Sequence, residues 1–353
     1  MENFYRTFER KRVFLTGHTG FKGSWMLLWL HHLGATVKGY SLAPENDNDL
    51  YHIIRGDTLC TSVIADVRDK ERLADELIRY EPDFVFHLAA QPLVRQSYEM
   101  PAETFDINVM GTVYVLDALR MLQKKCVCVI ITTDKVYENK EWSYPYREND
   151  RLGGFDPYSA SKAAAEIVVS AYRNSFFHAA RYAQHQKSVA TARAGNVIGG
   201  GDRSKDRIIP DVVRALQNGE PVVVRNPQSV RPWQHVLEPL SGYLTLASKM
   251  YACPDKFNEA WNFGPLPERD VSVEALVNMA IKSWGSGSYT VSQQSSQLHE
   301  TGVLKLDISK AVAQLGWLPK LTVAQAVAWT IEGYLAEDLP QKMVEQIKTY
   351  QTL

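Results

Sequence analysis

Apolar residues in the first half of the chain fall into short unbroken runs separated by longer stretches whose hydrophobic positions recur every three or four residues. Arg12 to Thr16 (RVFLT) is the first run, and Thr36 to Ser41, Ser62 to Ala65, Asp83 to Leu88 and Cys126 to Thr132 repeat it. Such runs, bounded by turn residues, predict buried strands. Between them Ser24 to Leu33, which ends near Gly34, Lys70 to Tyr80 and Glu103 to Leu122 predict helices. Strands alternating with helices predict an α/β fold built on a Rossmann-like, doubly wound parallel sheet. Ligands of such sheets lie beyond the carboxyl ends of the strands, where Gly17, Asp66, Ala89 and Thr133 would fall.

After a helix from Pro157 to about Phe176 the pattern loosens. A strand at Ser188 to Arg193 leads into the glycine-rich loop Gly195 to Asp202. Helical spacing then returns at Ile208 to Asn218, Leu237 to Met250, Val273 to Trp284 and Val323 to Leu335, with a short strand at Pro221 to Val224. The expected organisation is a dinucleotide-binding domain over residues 1–187 and a smaller mixed α/β substrate lobe over 188–353. The two are interleaved, with returns to the first domain near 230–263, because Trp261-Asn262-Phe263-Gly264 has the pattern of a strand end rejoining the first sheet. Gly285 to Ser288 and Ser292 to Ser296 read as surface loops.

Composition narrows the function classes. The chain has 353 residues, 45% of them hydrophobic, enough for two unequal domains sharing an interface. The formal net charge is −1 with basic residues scattered, so there is no electrostatic footprint for nucleic acid or an anionic membrane. Met1 to Lys11 is polar, and no run of about 18 apolar residues occurs, which predicts neither secretion nor membrane spanning. Cys60, Cys126, Cys128 and Cys253 lack metal-ligand spacing, so no metal site is expected and a reducing cytoplasm fits.

Chemistry enters with Gly17-His18-Thr19-Gly20-Phe21-Lys22-Gly23, which follows the first strand and opens the first helix. Glycines at 17, 20 and 23 allow a tight turn, close approach of a pyrophosphate and close packing of a helix whose N-terminus faces the anion. His18 and Lys22 either touch phosphate or are solvated. Asp66 either accepts a hydrogen bond from an adenine amino group or caps a helix. Gly39 to Pro44 offers neither the acid that grips a ribose 2′-hydroxyl nor an arginine for a 2′-phosphate, so NAD and NADP are both open at this point.

Tyr158 and Lys162 stand four residues apart behind Pro157, so on a helix they share one face. A phenol with pKa about 10 is a poor base at neutral pH, and an adjacent ammonium stabilises its anion. Thr133, Asp134 and Lys135 follow a strand and set a hydroxyl, a carboxyl and an amine in successive positions. They suit hydrogen bonding to a substrate hydroxyl, protonation of a leaving group and proton abstraction, or else they cap the next turn. Arg193, Asn196, Arg207 and Arg231 lie in loops or at strand ends of the second lobe, where guanidinium groups suit a diphosphate. His87 reads as a supporting residue.

The glycine motif, Leu88-Ala89-Ala90, Asn108 within Asn108-Val109-Met110-Gly111-Thr112, the Tyr158/Lys162 pair, Arg193 to Val197 and Leu306 to Lys310 together resemble the extended short-chain dehydrogenase/reductase family over nearly the whole chain. Thr133-Asp134-Lys135 is similar to the Thr-Asp-Glu motif of its nucleotide-sugar 4,6-dehydratases, with lysine in place of glutamate. Gly17 to Trp25 and Arg231-Pro232-Trp233-Gln234-His235 are similar to the CDP-D-glucose branch. The resemblance implies a tightly held NAD contacted by Gly17, Gly20, Phe21, Gly23, Asp66, Leu88, Ala89, Ala90, Tyr158 and Lys162. It also implies a CDP-D-glucose substrate, with Tyr158 as base for C4 oxidation, Lys135 for C5 and Asp134 as acid at C6. A homodimer through a four-helix interface of Glu103 to Leu122 and Pro157 to Phe176, and a place in lipopolysaccharide O-antigen synthesis, are further implications. An epimerase or simple dehydrogenase would use the same glycines, Tyr158 and Lys162 without needing both Asp134 and Lys135. A non-catalytic dinucleotide-binding protein would need none of these four side chains.

Overall fold

The computed structural model describes residues 4–266, 270–292 and 302–353. Its frame is one parallel sheet of seven strands: β1 (Arg12–Thr16), β2 (Thr36–Ser41), β3 (Thr61–Ile64), β4 (Phe84–His87), β5 (Cys126–Ile131), β6 (Lys187–Ala194) and β7 (Ala260–Phe263). The spatial order is β3-β2-β1-β4-β5-β6-β7. Strand order reverses between β1 and β4, so loops leaving those two strands diverge and open a crevice at the carboxyl edge. Every residue of β4 through β7 is buried, which accounts for unbroken apolar runs where a one-sided sheet would alternate.

Helices cover both faces. On one side lie α1 (Phe21–His32), the helix Leu237–Ala252 and the C-terminal helix Leu339–Thr352, contributing Trp25, Trp29, Leu240, Tyr243, Ile347 and Tyr350 to the core. On the other lie α2 (Lys70–Tyr80), α3 (Gly111–Met121) and α4 (Pro157–Ser175), contributing Leu73, Leu77, Val115, Leu119 and Val169. Leu73 and Leu77 stand one turn apart and carry α2 onto the sheet, while the Asp69 carboxylate caps its first turn through Arg72 N at 3.1 Å. A separate core of Ile209, Val212, Val213, Leu276, Val277 and Ile331 holds the second lobe. There Val222–Val224 pairs in parallel with Tyr289–Val291. Residues 293–296 of the expected loop Ser292 to Ser296 lie outside the described residues.

Two boundaries differ from expectation. The strand expected to open the second lobe at residue 188 is β6, paired with β5 on one side and β7 on the other, so the sheet-bearing domain runs past residue 187. A strand buried on both faces gives no signal of which lobe it joins. The helix expected over Glu103 to Leu122 is interrupted: Pro101–Phe105 gives way to a π-helical turn, Asp106–Met110, before α3 begins. That turn brings Asn108 inward, where Oδ1 accepts from Gln91 N (2.9 Å) and Nδ2 donates to Gln91 O (3.1 Å) and to Ser161 Oγ on α4 (2.8 Å). A single extra residue in the turn thus ties the loop after β4 to the helix bearing Tyr158.

Among the described residues, no helix is long and apolar enough to cross a membrane.

Candidate active site

At the end of β1 the backbone turns at Gly17, whose φ of +73° is favourable only without a Cβ. A Cβ on Gly23 would stand 1.9 Å from Gly17 O, so the loop and the first turn of α1 fit together only with glycine there. Gly20 is the N-cap of α1 and no side chain bonds the first-turn N–H groups, which leaves the helix N-terminus open to an anion. Ala89 N, bonded to Thr16 Oγ1 at 3.2 Å, lies against Gly17, and Leu88, Ala89 and Ala90 are half-buried at the end of β4. Half-buried Phe21 begins the helix. This cradle, a glycine backbone leading into an uncapped first helical turn, fits the diphosphate of a dinucleotide.

The two polar side chains of the loop go separate ways. His18 points inward, Nε2 to Ser62 Oγ at 2.8 Å with its ring edge-on to Tyr51, and burial brings its pKa down to about 4. It is a neutral core residue turned away from any phosphate. Lys22 enters the cleft, with Nζ 3.4 Å from Tyr243 Oη; burial, with Arg207 and Lys162 nearby, takes its pKa down to about 7. Asp66 caps no helix, since Asp69 does that. Its carboxylate accepts from Arg68 N (2.9 Å), Nε (3.0 Å) and Nη2 (2.6 Å), and these bonds from Arg68 hold its pKa low, leaving an ionised acceptor at the strand edge. His87 is buried between Thr16 Oγ1 (2.7 Å) and Thr112 Oγ1 (3.4 Å), and burial lowers its pKa to about 3, so it braces the sheet in neutral form.

The candidate catalytic groups come from two adjoining elements. Asp156 caps α4 through Ser159 N at 2.9 Å, Pro157 occupies the first turn, and Tyr158 N donates to Ser97 Oγ at 3.1 Å, so the start of the helix is fixed. One turn on, Lys162 Nζ donates to Ile131 O, the last carbonyl of β5, at 3.2 Å. Burial pushes Tyr158 up to about 12 and brings Lys162 down to about 8. Immediately after β5, the Thr133 hydroxyl lies in hydrogen-bonding reach of the Tyr158 phenol and donates to Asp134 Oδ1 at 2.9 Å. Asp134 Oδ2 is buried without a partner, and burial raises that carboxyl's pKa. Lys135 is shifted downward by burial and by the positive charge of Arg231, against the pull of Asp134. The environment therefore shifts the acid toward its protonated form and the amine toward its neutral form, side by side at the mouth of the same strand and next to the Tyr158 phenol.

Of the four expected substrate ligands, Arg207 and Arg231 act electrostatically on this group. The charge of Arg207 is felt at Tyr158, Lys22 and Lys135, and its Nη1 is held by Asp202 at 3.1 Å. Arg231 acts on Asp134 and Lys135, with Nη1 on Val230 O (2.9 Å) and Gly302 O (3.1 Å). Asn196 is half-buried at the strand edge, its carbonyl accepting from Gln234 N at 3.0 Å. Arg193 is different. It is 3% exposed and bidentate to the buried Glu166, Nε at 3.0 Å and Nη2 at 2.9 Å, so it is committed behind the sheet and does not reach a diphosphate. Its place at a strand end suggested a ligand, but only the fold reveals the carboxylate one helix face away. Lys22 and Tyr243 are the cleft residues whose position the sequence did not give, because their proximity joins α1 to a helix more than 200 residues later. A hollow of about 410 Å³ bordered by Arg120, Phe176, His185 and Lys187 lies near the start of β6, at the other end of the sheet, and shares no residue with this group.

Comparison with known proteins agrees with this architecture. The sequence profile of the family described as GDP-mannose 4,6 dehydratase matches residues 14–330. A CDP-glucose 4,6-dehydratase from Salmonella typhimurium is 49% identical over 342 residues, covering 96% of this chain and 94% of its own. Among solved structures, a dTDP-glucose 4,6-dehydratase from Streptomyces venezuelae with NAD bound superposes with a TM-score of 0.78 at 23% identity, covering 91% of this chain and 96% of that one. A UDP-glucose 4-epimerase from Thermotoga maritima gives the same TM-score at 21% identity, over 91% of this chain and 97% of that one. These two structures are similar in fold.

Proposed function

The chain belongs to the GDP-mannose 4,6 dehydratase family, and from that premise we propose that it is a CDP-D-glucose 4,6-dehydratase, a hydro-lyase converting CDP-D-glucose to CDP-4-keto-6-deoxy-D-glucose and water. The observation that carries the reading is the buried Asp134 carboxyl beside Lys135, its Oδ1 bonded to Thr133, its Oδ2 without a partner, and the Tyr158 phenol within reach of the same Thr133 hydroxyl. An epimerase or dehydrogenase has no use for this second acid and base. The 49% identity to a CDP-glucose enzyme supports the choice of nucleotide.

Gly17, Gly20, Gly23 and the open first turn of α1 would hold the diphosphate of NAD, which would supply a reversible hydride acceptor for C4 oxidation and C6 reduction, leaving no net redox change. Tyr158 takes the proton of the C4 hydroxyl, with Lys162 stabilising the phenolate and Thr133 aligning the hydroxyl. The resulting ketone acidifies C5, and Lys135 as a neutral amine removes that proton. Asp134 protonates the departing C6 hydroxyl, which leaves as water, and Lys135 gives its proton back to C5 as the hydride arrives at C6. Arg207, Arg231 and Asn196 hold the diphosphate, and Asp66 accepts from the adenine amino group. Deuterium at C4 of CDP-D-glucose is therefore expected at C6 of the product by mass spectrometry. Label that stays at C4, or reduced nicotinamide that accumulates with substrate turnover, would identify the epimerase or the dehydrogenase instead.

The enzyme works in the cytoplasm as a homodimer, and its product feeds the deoxyhexoses of lipopolysaccharide O-antigen. Phe105, Met110 and Met121 on one predicted interface segment, and Ile167 and Phe176 on the other, remain exposed and support a four-helix contact between two copies. Sedimentation should give twice the chain mass for the parent and the single-chain mass for Ile167→Asp, which sets a charge in the proposed contact at a residue 60% exposed in one copy. A parent that sediments as a single chain removes the interface.

A further inference from the structure

Tyr158, Lys162 and Glu166 occur at four-residue steps along α4 and so form one ridge of that helix. Glu166 is 2% exposed, and its carboxylate receives four hydrogen bonds: from Thr132 Oγ1 at 2.6 Å, Thr191 Oγ1 at 2.8 Å, and Arg193 Nε and Nη2 at 3.0 and 2.9 Å. All its acceptor sites are filled, so it is a saturated buried anion. The network extends beyond it. Arg193 Nη1 donates to Tyr137 Oη (2.9 Å) and Glu148 O (3.0 Å), Tyr137 Oη donates to Asn262 Oδ1 on β7 (2.7 Å), and Asn262 Nδ2 reaches Asp307 O (3.1 Å).

What matters for chemistry is where this anion is anchored. Thr132 stands directly between Ile131, whose carbonyl takes the Lys162 ammonium, and Thr133, which begins the acid and base pair. We infer that Glu166 is a positioning residue for the dehydration, fixing the Tyr158/Lys162 helix to the strand exit that carries Thr133, Asp134 and Lys135 and placing a buried negative charge one helical turn from Lys162. The inference rests on the dehydratase reading given above. Removing a buried carboxylate costs packing in any protein; a counter-charge has the additional consequence that a second group titrates elsewhere.

The groups facing Lys162 make the direction definite. On its own helix are Tyr158 and Glu166; His87 faces it from β4 and is neutral, and Lys22 faces it from α1 as a competing cation. Burial lowers the Lys162 pKa and Glu166 raises it. Glu166 is in turn faced by Arg193 from β6 and by Arg173 on its own helix, which also keep it ionised or feel its charge. Without the Glu166 charge, burial is opposed only by the bond to Ile131 O, and Lys162 gives up its proton at lower pH.

The test is the pH profile of reduced-nicotinamide formation in a single turnover of the NAD-loaded enzyme with CDP-D-glucose. Its alkaline limb reports loss of the Lys162 proton. In Glu166→Gln the limb should move to lower pH by about one unit or more, as expected for losing an opposite charge one helical turn away. Glu166→Asp, which keeps the charge but shortens the reach, should turn over more slowly at every pH with the limb where the parent has it. Because Glu166→Gln leaves Arg193 buried without its partner, Glu166→Gln/Arg193→Met supplies a neutral pair, and its limb should also fall below the parent's, since the carboxylate is the charge that acts on Lys162. A parent-like limb in both charge-removing variants assigns Glu166 a purely structural role and overturns the inference. A parent that turns over no CDP-D-glucose overturns the proposed function and this inference with it.

Discussion

Tyr158→Phe lowers C4 oxidation by about three orders of magnitude while thermal unfolding and cofactor binding stay close to those of the parent. Loss of a positioned general base is worth roughly 10²–10⁴ in rate, and a thousandfold corresponds to about 4 kcal/mol of barrier. The side chain is 9% exposed and its ring remains in phenylalanine, so the substitution removes one oxygen without opening a cavity. Burial, the leading cause, pushes the phenol up to about 12, too weakly acidic to supply phenolate at neutral pH, so the anion has to be stabilised as it forms during proton transfer, the role proposed for the Lys162 ammonium. With Lys162 at about 8, that ammonium is present below pH 8 and is lost as the pH rises through this value, so C4 oxidation declines on the alkaline side. Single-turnover absorbance of reduced nicotinamide measures the step directly. A Tyr158→Phe enzyme with the parent's rate would show that another group takes the proton.

Lys135→Met separates the two halves of the reaction. Oxidation at C4, for which Tyr158, Lys162 and Thr133 are the proposed groups, should proceed near the parent's rate, whereas removal of the C5 proton should fall by about 10²–10⁴, the range for a lost general base. Enzyme-bound reduced nicotinamide then builds up, exchange of the C5 hydrogen with deuterated water stops, and loss of water from CDP-D-glucose nearly ceases. The environment supports this division: burial and the Arg231 charge shift Lys135 toward its neutral form, and burial shifts Asp134 toward its protonated form. Methionine keeps the length and apolar stem of lysine, so packing changes little. Equal slowing of C4 oxidation and C5 exchange would make Lys135 a binding residue.

Much of this architecture is legible along the chain because its signals are local. The first five strands, the glycine turn and the Tyr158/Lys162 helix follow from runs, spacings and a proline at a helix start, and the family resemblance agrees with the profile match over residues 14–330. What the sequence hides is pairing across distance. Arg193 and Glu166 are 27 positions apart, and nothing in either segment shows that they form one buried ion pair. His18 and Lys22 look alike within the loop, yet one is taken up by Ser62 and the other by Tyr243. The C-terminal helix Leu339–Thr352 escapes a first reading because it is mostly polar, and its buried stripe of Met343, Ile347 and Tyr350 includes the polar Gln346. Asn108 presents a third case: its identity is visible, but the π-helical turn that aims it at Gln91 and Ser161 depends on both partners being in place.

The strand β7 lies at the sheet's edge but is contributed by residues 260–263, after the first part of the second lobe has been threaded. During synthesis β6 therefore emerges with one side of its backbone unpaired and stays so until those residues leave the ribosome, a period in which it is open to wrong partners. Cutting the gene at the lobe boundary would make that temporary state permanent, so the two halves are not separable units, and attempts to express the nucleotide-binding part alone should give a sticky, poorly soluble fragment.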